Sequence, residues 1–247
     1  MSKNIIITGA SSGIGKALAF EYAKRGYNLG LCARRESELQ ALTDAIKQQY
    51  PQQTCLWEKL DVTQLENVLP VFESLTARLG GLDIVIANAG VVGVRRTGNG
   101  DFATDKKIFD VNLYGAIATI DAATALFRKQ KHGHIVGISS FSAFRGIPGS
   151  AAYSSSKAAL SNYLQAVGTE LSGKGIQVSC IHPGFIKTDL SPGMEKYPFV
   201  IAADKAAAVM ANAIAKKKKN VTVPAWPWAV LKHLMPLLPD NIVKKVF

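Results

Sequence analysis

From Asn4 to about residue 224, short apolar runs rich in β-branched residues alternate with longer stretches of helical periodicity, and no domain break interrupts them. Strands that read as near-continuous apolar runs are buried on both faces, and strands separated by helices pair in parallel. The pattern predicts an α/β fold with one doubly wound domain, in which about seven parallel strands carry helices on both faces. Predicted strands cover residues 4–8, 28–33, 54–58, 82–87, 134–139, 177–182 and 221–223. Helical patterns cover 14–25, 36–49, 64–79, 104–128, 151–171 and 203–217. A chain of 247 residues with 48% hydrophobic content can bury one such core. Two irregular segments, 91–101 and 184–199, follow strands. Ligands bind at the carboxyl ends of strands in an open parallel sheet, so both segments are expected to cover a site.

The first strand runs directly into Thr8-Gly9-Ala10-Ser11-Ser12-Gly13-Ile14-Gly15 and then into a helix with apolar Leu18, Ala19 and Tyr22. Glycines permit a tight turn and close approach to a pyrophosphate, and the helix N-terminus aims N–H groups at the anion. The spacing is GxxxGxG rather than GxGxxG, and glycines also mark ordinary strand-to-helix turns; placement at the first strand favours a Rossmann-type dinucleotide cradle. The second strand ends in Ala33-Arg34-Arg35. An acidic residue there would accept from a ribose 2′-hydroxyl, whereas arginine pairs with a 2′-phosphate, so NADP(H) is favoured over NAD(H). The competing reading is a pair of solvated arginines answered by Glu36 and Glu38. Asp61 follows the third strand, where it either accepts from an adenine amino group or opens a helix.

Tyr153 and Lys157 stand four apart in a helical stretch and share one face, with Ser140 thirteen residues upstream of the tyrosine. A free phenol has a pKa of about 10 and is a poor base near neutrality. An ammonium at ~4 Å in an effective dielectric near 20 favours the phenolate by ~4 kcal/mol, roughly three pKa units before desolvation opposes it. Ser140 would donate to the oxygen of a carbonyl substrate as hydride arrives. Taken singly, these residues also fit a buried tyrosine bonded to a carbonyl, a solvated lysine and a turn serine.

The ordered set of the TGxxxGxG turn, Asn88-Ala89-Gly90, Asn112, Ser140, the YxxxK at Tyr153 and Lys157, and Pro183-Gly184 followed by Thr188 resembles the classical short-chain dehydrogenase/reductase family from about residue 4 to 224. One departure is Ala87, where members often carry a second asparagine. The resemblance implies a catalytic tetrad of Asn112, Ser140, Tyr153 and Lys157, with Tyr153 as general acid/base. It further implies that Lys157 binds the nicotinamide ribose, that Asn112 bends its helix and holds a water relaying protons to Lys157, and that Thr188 contacts the carboxamide. Turn, arginines and resemblance together nominate Gly9, Ser11, Ser12, Gly13, Ile14, Gly15, Arg34, Arg35, Asp61, Val62, Asn88, Ala89, Gly90, Tyr153, Lys157, Pro183, Gly184, Ile186 and Thr188 as cofactor-binding residues. The activity so implied is an NADP(H)-dependent oxidoreductase interconverting a ketone or aldehyde with its alcohol. A 3-oxoacyl-carrier reductase and a non-catalytic dinucleotide-binding regulator are the alternatives. A homodimer or homotetramer through helices 104–128 and 151–171 is also implied.

The net charge of +11 invites a nucleic-acid reading, yet the basic residues are spread along the chain and the one dense run, Lys216 to Lys219, closes a helix where cations complement the dipole. No basic motif is interleaved with aromatics for base stacking, so no nucleic-acid partner is expected. His132, His134, His182 and His233 lack metal-ligand spacing, and no metal is expected. Cys32, Cys55 and Cys180 are scattered and odd in number, which fits a reducing, cytoplasmic compartment, and the first residues leave no room for a signal peptide. Phe141, Phe144, Phe185, Met194, Tyr197, Phe199 and the segment 91–94 would frame an apolar carbonyl substrate, or else pack core and lid. Arg95 and Arg96 either meet an anionic substrate or carrier or stay solvated.

Residues 1–224 make up the expected catalytic domain, and 225–247 an apolar, tryptophan-rich extension. Its prolines and Lys232 exclude a membrane-crossing span. Either the extension folds over protein, at the substrate entrance or a subunit contact, or it lies in a membrane interface with Trp226 and Trp228 as anchors and Lys232, Lys244 and Lys245 toward head groups. The prolines favour the protein-covered reading.

Overall fold

The computed structural model describes residues 2–188 and 199–246. In chain order its strands are β1 (Asn4–Thr8), β2 (Asn28–Ala33), β3 (Cys55–Lys59), β4 (Ile84–Ala87), β5 (Gly133–Ile138), β6 (Ile176–Pro183), β7 (Ile186–Lys187), β8 (Ile201–Ala202) and β9 (Asn220–Val223). The helices are α1 (Gly13–Lys24), α2 (Glu36–Gln49), α3 (Val68–Leu79), α4 (Phe102–Phe109), α5 (Gly115–Gln130), α6 (Ala151–Glu170), α7 (Ala203–Ala215), α8 (Trp228–Leu234) and α9 (Asp240–Val246). Seven strands form one parallel sheet in the order β3-β2-β1-β4-β5-β6-β9, and β7 pairs with β8 apart from it.

Alternation along β1 explains the two layers. Ile5 and Ile7 face one side and pack with Leu18 and Tyr22 of α1, Leu39 and Ile46 of α2, and Met210 and Ile214 of α7. Ile6 faces the other side, with Phe72 and Leu75 of α3, Ile120 and Phe127 of α5, and Leu160 and Leu164 of α6. Each fully buried side chain of this size stabilises the fold by about 1.5–3 kcal/mol, and removing Phe72 to alanine would cost about 3–5 kcal/mol. Strand order reverses direction between β1 and β4, so the carboxyl ends of these two strands open the crevice where a dinucleotide binds in such sheets.

The expected single helix over 104–128 is three pieces: α4, a π-helical turn over Asp110–Tyr114, and α5. The wide turn falls at Asn112, whose buried side chain bonds away from its own helix. At 64–79 a 3₁₀ turn over Leu65–Asn67 precedes α3. The pair β7 and β8 and the helices of the extension carry no strand or helix prediction. Trp228 opens α8 and is 3% exposed, with Met235 buried beside it in a cluster that includes Phe141, Phe144 and Phe185. Arg145 donates to the Pro236 carbonyl at 3.0 Å and to Asp240 Oδ1 at 2.6 Å, which fixes the start of α9. Trp226, in contrast, is 73% exposed. No helix among the described residues is long and apolar enough to cross a membrane.

Candidate active site

The glycine turn closes against the fourth strand. Gly9 has φ +67°, and a Cβ there would stand 2.7 Å from Ala89 Cα; a Cβ on Gly15 would stand 2.6 Å from Asn88 Nδ2. Only glycine fits both positions. Asn88 donates through Nδ2 to the carbonyls of Thr8 and Gly9 at 3.0 and 3.1 Å, while Thr8 Oγ1 accepts from the N–H groups of Asn88 and Ala89 at 3.1 and 3.3 Å. Thr8 therefore joins the two strands at the crevice, a role that its place in the glycine motif alone does not reveal. At the head of α1, Ser12 makes no side-chain cap and no acidic residue stands in the first turn. The N-terminal N–H groups keep their positive character for an anion.

Arg35 reaches across to this turn and donates to Ser11 Oγ at 2.9 Å and Ser12 Oγ at 2.7 Å. Arg34 Nη1 lies 3.9 Å from Asp61 Oδ2, and Asp61 Oδ1 accepts from the Thr63 amide at 3.0 Å and its hydroxyl at 2.8 Å. Asp61 thus caps a local turn and faces Arg34. Val62 is buried against Gly115, the first residue of α5. Glu36, named above as a competitor for the arginines, pairs with Lys59 at 2.8 Å instead.

Asn112 is fully buried in the π-helical turn and clamps Val91: its Oδ1 accepts from the Val91 amide at 2.7 Å, and its Nδ2 donates to the Val91 carbonyl at 2.9 Å and to Ser156 Oγ at 3.4 Å. Gly90 lies between Asn112 and Lys157, since a Cβ there would meet Asn112 Oδ1 at 3.3 Å and Lys157 Nζ at 3.5 Å. Lys157 Nζ donates to the Ile138 carbonyl at 2.9 Å. The Lys157 carbonyl in turn accepts from Ser139 Oγ at 2.9 Å and Ser161 Oγ at 2.8 Å, so two hydroxyls hold this turn of α6 against the end of β5.

The Ser140 hydroxyl stands close enough to the Tyr153 phenol to favour its ionised form. Ser140 Oγ also accepts from the Ser142 amide at 3.1 Å, at the head of a 3₁₀ turn over Phe141–Phe144. His182 approaches the Ser140 carbonyl at 3.4 Å through Nδ1, and its ring lies 4.7 Å from that of Phe144. The electrostatics differ from the expectation. Burial raises the Tyr153 phenol above its ordinary value, and the nearby Ser140 hydroxyl offsets this only in part. The Lys157 ammonium lies 6.0 Å from the centroid of the Tyr153 ring, and burial pushes its own pKa down to about 8. An ammonium 6.0 Å from the ring centroid and directed at a carbonyl lowers the phenol less than one at ~4 Å would.

At the end of β6, Pro183 pairs with Val223 and the Gly184 amide donates to the Val223 carbonyl at 2.9 Å. Ile186 is buried in β7, and Thr188 closes the described part of this loop. Of the nominated substrate frame, Phe141 and Phe185 pack on Trp228 with ring centroids 4.5 and 5.1 Å away, so they belong to the seat of the extension. Val92, Val94 and Phe199 are exposed. Met194 and Tyr197 lie outside the described residues. Arg95 pairs with Asp105, donates to Asn99 Oδ1 at 2.8 Å and gives its amide to the Gly149 carbonyl at 2.8 Å. It fastens the 91–101 loop over the approach to α6, and Arg96 alone of the two stays exposed.

A family model described as short chain dehydrogenase matches residues 3–197. The chain belongs to the short-chain dehydrogenase family. It is 38% identical over 241 residues to an uncharacterized oxidoreductase of Myxococcus xanthus, covering 97% of this chain and 94% of that one. It is 31% identical over 243 residues to 11-beta-hydroxysteroid dehydrogenase 1A of Arabidopsis thaliana, covering 91% and 69%. A crystal structure of a short-chain type dehydrogenase/reductase from Mycobacterium marinum superposes with a TM-score of 0.82 at 28% identity, covering 89% and 93%. As a short-chain dehydrogenase the protein is an oxidoreductase of a family that binds a nicotinamide dinucleotide and acts on small molecules. The glycine turn sealed on Asn88 and Ala89, the uncapped head of α1 and Arg35 beside it fit such a cofactor.

Proposed function

We propose that this short-chain dehydrogenase is NADP(H)-dependent and interconverts an apolar ketone or aldehyde with its alcohol, with Tyr153 as the general acid/base. The observation that carries the reading is the gathering of Ser140, Tyr153 and Lys157 at the carboxyl end of the sheet, with Lys157 Nζ 6.0 Å from the Tyr153 ring centroid and beside Gly90. The N-terminal N–H groups of α1 hold the pyrophosphate, Arg34 and Arg35 hold the 2′-phosphate, and Asp61 and Val62 border the adenine. Asn88 to Gly90, Lys157 and the segment from Pro183 through Gly184 and Ile186 to Thr188 hold the nicotinamide half. Bound there, the cofactor supplies the hydride.

The chain supplies the proton. Tyr153 gives its phenolic proton to the carbonyl oxygen, and Ser140 donates a hydrogen bond to that oxygen as negative charge develops. A phenol raised by burial keeps its proton at neutral pH, which suits it to act as the acid in reduction. Asn112 sets the Val91 wall of the site. The exposed Val92 and Val94, and a relative named as a steroid dehydrogenase, support an apolar substrate. The pairing of Arg95 with Asp105 removes one of the two cations that favoured an acyl-carrier substrate.

Within this reading residues 1–224 are the catalytic domain and 225–247 an extension of it. Copies associate as a homodimer or homotetramer through α5 and α6. A reducing, cytoplasmic setting fits Cys32, Cys55 and Cys180, all buried and free. The test is a panel of apolar carbonyl compounds followed by NADPH absorbance with wild type and Tyr153→Phe. Turnover by the wild type should fall by roughly 10²–10⁴ in the variant while NADPH still binds; substantial residual turnover would remove Tyr153 from the role.

A further inference from the structure

The extension is apolar on two opposite faces, and only one of them is covered. Trp228, Leu231 and Met235, spaced by three and four, turn inward onto Phe141 and Phe185. Trp226, Val230 and Leu234, spaced by four, turn outward and are continued by Leu237 and Ile242; all five are exposed, Leu237 by 77%. Five large exposed apolar side chains gathered on one short segment mark a contact with another apolar phase.

We propose that this outer face docks on an anionic lipid surface. Charge decides between lipid and a second copy of the chain. The sole acidic side chain of residues 225–247, Asp240, is neutralised by Arg145 at 2.6 Å. Among the described residues Lys232 and Lys244 form no ion pair, and they interleave in sequence with the exposed apolar residues of a chain of net charge +11. Two such surfaces brought together repel, whereas anionic head groups attract both lysines while the row enters the acyl boundary. Trp226, a large amphipathic ring at the edge of the row, suits the head-group level. The covered face meanwhile keeps the extension seated on the domain, so no spanning segment is needed.

The docked face lies beside the carboxyl-end crevice, because its inner side packs on the residues next to Ser140 and Gly184. A lipid-dissolved carbonyl compound then reaches the site without crossing bulk water. That consequence rests on the proposed reductase reading; docking itself does not, and the test below measures docking alone.

The experiment is flotation of the full chain with vesicles of phosphatidylcholine alone or mixed with phosphatidylglycerol, for wild type, Leu237→Glu and Trp226→Ser. Both variants change exposed side chains, and thermal melts should match wild type. Wild type should float with the anionic vesicles about tenfold more than with neutral ones, and less as salt rises. Each variant should lose most of that binding. Failure of wild type to float, equal binding to both vesicle types, or unchanged binding by both variants would overturn the proposal. A dimer that falls apart in the variants, seen by analytical ultracentrifugation without any vesicle binding by wild type, would assign the face to a second copy instead.

Discussion

Trp228 and Phe141 meet nearly edge to face, with ring centroids 4.5 Å apart and planes inclined at 65°, so a residue of the C-terminal extension braces the one that follows Ser140. The same indole presses on Gly184, where a Cβ would stand 2.5 Å from it, and on Phe185 at 5.1 Å. One side chain therefore supports both turns of the candidate site. Trp228→Ala should lower stability by about 3–5 kcal/mol if the cluster does not collapse, and should reduce kcat more than it weakens NADPH binding. Urea unfolding and steady-state kinetics measure the two effects. Unfolding at wild-type urea concentration would mean that the indole is not the brace.

Lys157 illustrates a function bought against stability. Its folded pKa of about 8 lies below the ordinary lysine value of 10.5, so between these limits the unfolded chain binds more protons than the folded one. Stability of the cofactor-free protein should rise with pH across this window and carry the full penalty below it. The penalty amounts to up to about 3 kcal/mol, less what the bond to the Ile138 carbonyl returns. Lys157→Met should then melt higher than wild type at pH 7 without cofactor while losing turnover. A lower melting temperature would show that the ammonium is not strained in place.

Much of this was legible because period and order survive in a single sequence. The alternation of apolar runs predicts all seven strands of the sheet, and α2 falls on the predicted 36–49. Asn112, a mediocre helix former in a helical stretch, marks the π-helical turn. Hidden were contacts between distant residues. Nothing in the spacing announces that Arg35 reaches Ser11 and Ser12, that Arg95 closes on Asp105, or that Arg145 meets Asp240 ninety-five residues away. The extension divides the two readings offered for it: Trp228 is covered by protein and Trp226 is not. The Lys245 side chain lies outside the described residues.

The two arginines after β2 give a sharp cofactor test. Arg35 already spends two donors on Ser11 and Ser12, which orients its guanidinium at the turn, and Arg34 stands across from Asp61. Hydrogen bonds to a charged partner contribute about 1.5–3 kcal/mol each. Arg34→Ala combined with Arg35→Ala should therefore reduce the preference for NADPH over NADH by roughly 10²-fold or more. The ratio of kcat/KM for the two cofactors reads it directly; an unchanged ratio would mean that neither guanidinium contacts a 2′-phosphate.

Far from the site, at the opening of β5, His134 supplies an acid-sensitive joint. It is buried, and its Nε2 lies 2.8 Å from Ser179 Oγ, which donates onward to the Lys218 carbonyl at 2.7 Å. With the serine proton committed to Lys218, the imidazole must donate from Nε2, and the neutral ring suffices for that. Burial is the main cause that lowers its pKa to about 4, against 6.5 for a free histidine, with Lys217 adding to it. The folded state thus resists protonation where the unfolded state accepts it. Stability from this residue is complete above pH 6.5 and is lost as pH falls toward 4, by up to about 3 kcal/mol. His134→Gln retains a donor for Ser179 but no titrating group, so its melting temperature should fall less steeply between pH 7 and 4 than that of wild type. Parallel slopes for the two proteins would assign the acid sensitivity to other groups.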